Sequence, residues 1–343
     1  MDKREFFALA NIPAPAGYES PAAKYLYENY SGLFTETKTD ALGNFIGISR
    51  CGRDNAPLLM IDAHMDEVGL IITSVTDEGF LKFDVLGSPD ARTLVNAEVL
   101  VLGKENIPGI VCTLPPHVQT ASEMEEFSKP KDLSIDIGLT QEEAKKLVSV
   151  GDAAVLRATG KELSFGRLTG RAFDNRLCLY AALEAIKKAP SSRNYDIAFV
   201  ASVREEVGCR GAGAAAFSLA PDACIVLDVT FGAQPDAPGS GTFALGEGVT
   251  LCVGPFTDRK LTNELFDLAE KLEVKVAPEV YGGSTGTNAT PVQITREGIP
   301  VAVISIPIRN MHTPAEICDP ADTDAAIRLL GGYLNNLNGD DLK

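Results

Sequence analysis

Apolar runs alternate with amphipathic segments along most of the chain. Predominantly apolar runs of strand length occur within 56–69, 195–203, 222–229 and 299–308. Continuous apolar runs are typical of strands that are covered on both faces, as in parallel sheets. Amphipathic patterns predict helices at 2–10, 19–31, 174–189, 262–273 and 320–336. The alternation predicts an α/β fold with a sheet that is mostly parallel at its centre and has helices on both faces.

The stretch from 70 to 165 has a different pattern. Short strands with close turns fill it, and only TQEEAKKLV at 140–148 has the pattern of a helix. An all-β block inside an α/β chain is best explained as an inserted domain. We therefore predict a discontinuous α/β domain of residues 1–69 and 166–343, which carries a small β-rich domain of residues 70–165.

Composition and charge exclude some classes of binding partner and indicate where in the cell the protein is located. The chain has 343 residues and a formal net charge of -16, which argues against nucleic acid or an anionic membrane surface as a partner. Its seven cysteines form no CxxC pair, which is typical of reduced thiols in the cytosol. No run approaches the ~18 apolar residues of a membrane span, and no segment resembles a signal peptide. These features predict a cytoplasmic protein.

Ionisable side chains follow the predicted central strands. These side chains are His64 and Asp66, Glu205 and Glu206, Asp228 and His312, and Asp174 stands at the start of a helix after the β-rich block. Each alone could be a turn residue, a helix cap or a strand terminator. Because the carboxyl ends of parallel strands meet at one edge of a sheet, we expect these residues to converge. Histidines with several carboxylates suit zinc, cobalt or manganese, and this many suit two ions that share a bridging carboxylate.

The adjacent glutamates Glu205 and Glu206 suggest two different chemical roles. On extended backbone, neighbouring side chains point in opposite directions, so the two carboxylates cannot bind one ion in the same way. One glutamate can ligate a metal while the other takes a proton from the metal-activated water. The pattern alone does not say which glutamate does which.

Several segments together resemble a known family. DAHMDEVG, LTGRAFDNR, REEVGCRGA, LDVT and IPIRNMHTPAEICD occur in this order, with GIVCTLPPH inside the β-rich insert. They resemble the co-catalytic metallo-aminopeptidases of metallopeptidase family 42, also called tetrahedral or glutamyl-type aminopeptidases, over nearly the whole chain. The resemblance implies removal of amino-terminal residues from short peptides by a water that bridges two divalent metal ions. Zinc or cobalt, or else manganese, is the metal that it implies.

The resemblance also implies a role for each residue. It implies that His64 and Asp228 bind one metal, that Glu206 and His312 bind the other, and that Asp174 bridges them. Glu205 is implied as the general base, and Asp66 as the carboxylate that orients His64. His117, the remaining histidine, is interpreted as a structural residue of the insert. The family builds dimers through the insert and then dodecamers, so we expect a homo-oligomer of twelve chains.

Two departures from the family pattern and three alternative functions remain. Asn175 and Asn288 occupy positions where the family usually has Asp, and each removes one potential negative charge near the site. These changes bear on the second metal and on substrate preference. An amidase or deacylase with the same two metals is the strongest alternative. A glycosidase fits poorly because the chain has no tryptophan for a sugar platform, and a non-catalytic scaffold would not need the complete ligand set.

Overall fold

The fold was analysed in a computed structural model, which describes residues 1–120, 128–235, 237, 239, 241–283 and 285–342. The strands in this part of the chain are β1 Glu36–Thr39, β2 Phe45–Ser49, β3 Leu58–His64, β4 Gly69–Val75, β5 Leu81–Leu86, β6 Glu98–Leu102, β7 Asn106–Cys112, β8 Ser134–Asp136, β9 Ala153–Leu156, β10 Lys161–Glu162, β11 Leu168–Gly170, β12 Asp196–Ser202, β13 Ala223–Phe231, β14 Val249–Val253, β15 Val276–Val280, β16 Val301–Ile308 and β17 Glu316–Cys318. The helices are α1 Lys3–Ala10, α2 Ser20–Tyr30, α3 Ala91–Leu94, α4 Gln141–Leu147, α5 Phe173–Ile186, α6 Arg210–Leu219, α7 Arg259–Lys271, α8 Ala289–Gln293 and α9 Pro320–Asn336.

An eight-stranded sheet forms the centre of the molecule. Its strand order is β1-β2-β12-β3-β13-β16-β14-β15. The four central strands β12, β3, β13 and β16 run parallel to one another, whereas β2 and β14 join them antiparallel on either side. The predicted α/β fold with a mostly parallel centre is therefore confirmed. The four central strands correspond to the four apolar runs of the sequence, because each is buried on both faces.

Helices cover both faces of this sheet. On one face, buried residues of α5 and α9, such as Leu179 and Leu330, belong to the larger core cluster. On the other face, α6 and α8 contribute small apolar residues such as Ala212 and Ala289 to a second cluster. Asp319 caps α9 by accepting from the Ala321 N–H, which explains why this helix begins where the sequence predicts it. No helix of the described ranges is long and apolar enough to cross a membrane.

A closed six-stranded barrel lies between β3 and α5 in the chain. Its strand order is β4-β5-β8-β7-β6-β9, and alternate side chains such as Leu70, Ile72 and Val99 fill its interior. This is the small all-β unit that the sequence predicts. The barrel buries most of its own apolar surface, but Ile110 and Val150 are 45% and 69% exposed. The domain boundaries at residues 70 and 165 and the role of the insert in dimerisation stay predictions.

The cysteines are distributed as the sequence suggests. All seven are free thiols. Cys178, Cys224, Cys252 and Cys318 are buried, and the other three are partly buried.

His117, which we interpreted as a structural residue of the insert, is exposed and lies in the short 3-10 turn Pro116–Val118. It is outside every metal-competent group formed by the described residues.

Candidate metal centre

His64 and Asp228 meet at the edge of the sheet where the parallel strands end. His64 is the last residue of β3, and Asp228 lies on the adjacent strand β13, three residues before that strand ends. The His64 Nε2 atom is 3.7 Å from Asp228 Oδ1 and 3.1 Å from Asp174 Oδ1. All three side chains are buried. Their ligand atoms are close enough to one another to hold one metal ion.

A second group is built around the other oxygen of Asp174. The His312 Nε2 atom is 3.2 Å from Asp174 Oδ2 and 3.2 Å from Glu206 Oε2. Asp174 thus presents Oδ1 to His64 and Oδ2 to His312. A carboxylate with one oxygen in each of two neighbouring ligand groups has the arrangement that a bridging ligand requires. The structure therefore brings together all five residues of the predicted ligand set.

Asp174 owes its orientation to an irregular first turn of α5 and to Glu316. Asp174 has ψ 106° and the next residue is also non-helical, so Asp174 is not the simple helix cap that its sequence position also allowed. The buried Glu316 accepts hydrogen bonds at Oε2 from the backbone N–H of Phe173 (2.6 Å) and Asp174 (3.3 Å). Its Oε1 accepts from the His312 N–H at 2.9 Å. One carboxylate thereby fixes the backbone of two predicted ligands.

Glu205 and Glu206 lie in a turn and not on extended backbone, so our expectation for their local conformation was wrong. Strand β12 ends at Ser202, and Arg204 has the left-handed φ of 57°. The Asp66 carboxylate accepts from both glutamate N–H groups, from Glu205 at 3.0 Å and from Glu206 at 3.1 Å. Asp66 thus supplies the acceptor that both N–H groups need beyond the end of the β pairing. Glu205 and Glu206 still differ in their partners.

The partners of the two glutamates set them apart. Glu206 Oε2 contacts His312, as described above, whereas Glu205 Oε1 accepts a hydrogen bond from the Cys209 thiol at 2.9 Å. Both glutamates can also be grouped with His64, because one ligand atom of each lies within metal-binding range of that imidazole. The geometry is compatible with Glu206 as a ligand and Glu205 as the neighbouring base, and those roles stay predictions.

Carbonyl oxygens orient both imidazole rings. His64 Nδ1 is 3.2 Å from the backbone oxygen of Asp66 and 3.4 Å from its carboxylate, and only the backbone contact has hydrogen-bond geometry. His312 Nδ1 contacts the backbone oxygen of Ser88, between β5 and α3, at 3.0 Å. An Nδ1–H that donates to a carbonyl leaves Nε2 free as the ligand atom. The barrel segment thus takes part in the site through Ser88, which sequence reasoning missed.

The buried cluster brings several carboxylates close together, and burial and neighbouring charges shift their pKa values. Burial raises the pKa of Glu205 to about 9 and that of Glu206 to about 7. Although burial alone lowers it, the Asp174 and Glu206 carboxylates raise the pKa of His312 to about 11. At Asp174, burial raises the pKa of the carboxyl, but the imidazoles of His312 and His64 outweigh it and lower that pKa below its usual range. Nearby cations would favour the charged carboxylates.

The residues present fit a pair of divalent cations. Asp174 Oδ1 and Glu206 Oε1 are buried and have no hydrogen-bond partner in the described chain, although buried carboxylate oxygens normally have one. Two imidazoles and three carboxylates form a donor set that suits zinc, cobalt or manganese.

Asn175 and Asn288, the two residues that depart from the family pattern, make hydrogen bonds near this donor set. Asn175 donates to Leu227 O, and Asn288 donates to Asp62 Oδ2 and Ser202 Oγ.

A cavity of about 660 Å³ lies beside His312 in the chain: Met311 and Thr313 line it, whereas His312 is not among its described lining residues. Segments after β13 and on either side of His312 line it, together with Asp90 and Arg92 between β5 and β6. Arg309, in its wall, donates from Nε to Ala233 O at 2.6 Å. No carboxylate of the described residues forms an ion pair with the Arg309 guanidinium. The sequence pattern contained no signal for this cavity, because its wall combines distant segments.

Comparisons with known proteins agree with this architecture. The family model described as M42 glutamyl aminopeptidase matches residues 43–329. The lysyl aminopeptidase of Pyrococcus furiosus is 34% identical over 338 residues, which cover 97% of this chain and 96% of that protein. The solved TET aminopeptidase of a marine sediment archaeon of the Thaumarchaeota superposes with a TM-score of 0.92 at 28% identity, over 99% of both chains.

A third relative is the TET1 peptidase of Pyrococcus horikoshii, which is described as assembling into a tetrahedron or a large octahedral shell. It superposes with a TM-score of 0.84 at 28% identity, over 97% of this chain and 99% of that one. The similarity in sequence and structure extends over nearly the full length of this chain and of each of these relatives. The chain belongs to the M42 glutamyl aminopeptidase family.

Proposed function

We propose that this protein is a metal-dependent aminopeptidase that removes amino-terminal residues from short peptides. The observation that carries the proposal is the position of Asp174, whose two oxygens face the His64 and His312 groups at 3.1 and 3.2 Å. The names of the full-length relatives support the same activity. We assign His64 and Asp228 to one ion, Glu206 and His312 to the other, and Asp174 to both.

The chain's own residues supply positioning and proton transfer. Two divalent ions bound here would polarise the scissile carbonyl and activate a water as nucleophile. Glu205 takes the proton of the attacking water and passes it to the leaving amine. Asp66 holds the Glu205 backbone in place through the 3.0 Å hydrogen bond. Burial raises the pKa of Glu205 to about 9, and metal ions bound beside it would lower that pKa and so favour the charged form that accepts a proton.

The substrate is recognised by its charge and by its first side chain. Carboxylates of the cluster attract the ammonium group of a peptide's amino terminus. We assign the cavity of about 660 Å³ beside His312 to the side chain of the first residue. Met311 and Thr313, the chain neighbours of the proposed ligand His312, line this cavity, which supports the assignment.

A matched pair of substrates tests the proposed activity. The protein is stripped with a chelator and reloaded with zinc, cobalt or manganese, and it is then assayed on free peptides and on the same peptides with an acetyl cap. We expect release from the free peptides only, and only after reloading. Equal rates on capped and free peptides would assign the centre to an amidase or deacylase. Activity that survives full removal of metal would contradict the proposal as a whole.

We further propose that the chain forms a homo-oligomer, with dimers built through the barrel and twelve chains in the full assembly. The assembly described for the Pyrococcus horikoshii relative supports this. The exposed Ile110 and Val150 offer apolar surface on the barrel side. Light scattering of the metal-loaded protein at micromolar concentration is expected to give the mass of twelve chains, and a monomer would contradict the proposal. A cytoplasmic location stays a prediction.

A further inference from the structure

A second cavity, of about 650 Å³, lies apart from the metal centre. Residues of the α1–α2 connection, of α2, of the end of β1 and of the turn before β2 line it, together with Arg204. None of its described lining residues belongs to the cavity beside His312 or to the proposed ligand set. Arg204 immediately precedes Glu205 in the chain, so the cavity adjoins the turn that carries the proposed general base.

Arg204 brings an unsatisfied positive charge to this cavity. Its Nε is buried without a hydrogen-bond partner, and no described carboxylate pairs with the guanidinium. The residue is only partly exposed and has the left-handed φ of 57°, a conformation that non-glycine residues seldom adopt. Leaving the buried Nε–H without an acceptor is costly, and a carboxylate matches the donors of a guanidinium well. The side chain therefore favours an anionic ligand.

Glu19 provides a negative charge on the same cavity. It is 5% exposed, and its Oε1 accepts from the N–H groups of Gly17 (2.7 Å) and Arg204 (3.0 Å). Its other oxygen has no hydrogen-bond partner among the described residues. Glu19 and the Arg204 guanidinium do not pair with each other. The wall also carries Lys24 and Glu28, which pair with each other at 3.8 Å. Arg204 and Glu19 are therefore the oppositely charged groups of the wall that are left without an ion pair among the described residues, and a zwitterion would contact both.

The remaining wall is suited to an apolar side chain. Tyr27 is 56% exposed although it is a large aromatic residue, and Leu42 and Tyr18 line the same space. Burying such surface against an apolar ligand is favourable. The volume accommodates an amino acid with a large side chain.

We propose that this cavity binds a free α-amino acid with an apolar or aromatic side chain. Its carboxylate binds Arg204, its ammonium group binds Glu19, and its side chain packs against Tyr27. If the protein is an aminopeptidase, such a ligand is also a product of its reaction, and this last link rests on the proposed function. The binding site itself does not depend on that function.

Calorimetric titration of L-phenylalanine into the metal-loaded protein tests the site. Acetohydroxamate is present at saturation to occupy the metal centre, so that the titration reports on the second cavity. It chelates metal ions but has neither the amine nor the carboxylate that the second cavity is proposed to bind. Two analogues, N-acetyl-L-phenylalanine and L-phenylalaninamide, each lack one charge. Arg204→Gln removes the guanidinium, and Arg210→Gln is the matched control, since Arg210 is exposed at the start of α6, just after the same turn, and does not line the cavity.

We expect one L-phenylalanine per chain, with binding ~10- to 100-fold weaker for each analogue and for Arg204→Gln, because each change removes a charge-assisted contact. Arg210→Gln should bind as the wild type does. Absence of binding, equal binding of the acetylated analogue, or displacement by inorganic phosphate at lower concentration would overturn the proposal. The analogues keep the test decisive even if Arg204→Gln fails to fold. Because the readout is binding, failure here and failure of the aminopeptidase assay remain distinguishable.

Discussion

Replacing Glu316 by glutamine tests whether the metal centre depends on a carboxylate outside the predicted ligand set. Glu316 is 2% exposed and accepts three backbone hydrogen bonds, from Phe173, Asp174 and His312 at 2.6, 3.3 and 2.9 Å. Glutamine has the same size, but its amide group donates where one carboxylate oxygen accepted. One or two of the backbone N–H groups then lose their acceptor and face a donor instead.

The size of the effect follows from these contacts. Hydrogen bonds to a charged group contribute ~1.5–3 kcal/mol each, so losing one or two costs about 1.5–6 kcal/mol. We expect part of this cost in the free energy of unfolding and part in metal binding, because Asp174 and His312 are both held by Glu316. Carboxylates that orient ligands typically change metal affinity by ~10- to 100-fold when they are replaced.

Metal affinity is measured by competition with a chromophoric chelator, and stability is followed by the melting temperature with and without metal. Glu297→Gln is the control, because Glu297 is exposed and belongs to none of the metal-competent groups of the described residues. We expect weaker metal binding and a lower melting temperature for Glu316→Gln, with kcat partly restored by excess metal. Wild-type metal affinity together with an unchanged melting temperature would refute the reasoning.

Three further predictions concern the same region. Glu205→Gln should keep both ions while turnover falls by ~10²–10⁴-fold, whereas Glu206→Gln should lose metal on dialysis and recover activity with excess metal; equal metal loss in both would show that the assigned roles are wrong. Arg309→Gln should lower kcat/KM for peptides with an acidic first residue by about 10-fold or more, relative to peptides with leucine, because Arg309 lines the cavity and pairs with no carboxylate of the described residues. Removing metal with a chelator should lower the melting temperature, since ions at ~100 times their Kd add about 2.7 kcal/mol of stability; an unchanged melting temperature would argue against metal binding.

Local patterns in the sequence were sufficient for the centre of the fold. The buried strands β3, β12, β13 and β16 are apolar throughout most of their length, because both of their faces are covered. The edge strands β1 and β15 were not predicted, since they are short and largely exposed and therefore lack an apolar run. The predicted convergence of the ionisable side chains also followed from local information, because most of them stand at or near the end of a predicted strand and Asp174 stands at the start of a helix.

Contacts between distant segments decided the rest. Glu205 and Glu206 lie in a turn because the Asp66 carboxylate, 139 and 140 residues away in the chain, accepts both of their N–H groups. Glu316 holds Asp174 from 142 residues away, and the Ser88 carbonyl reaches His312 across 224 residues. The sequence by itself determined which side chains could form a metal centre and which strands would carry them. Only the tertiary structure decided how the ligand atoms are oriented, because the buried hydrogen bonds that orient them join segments with no local pattern in common.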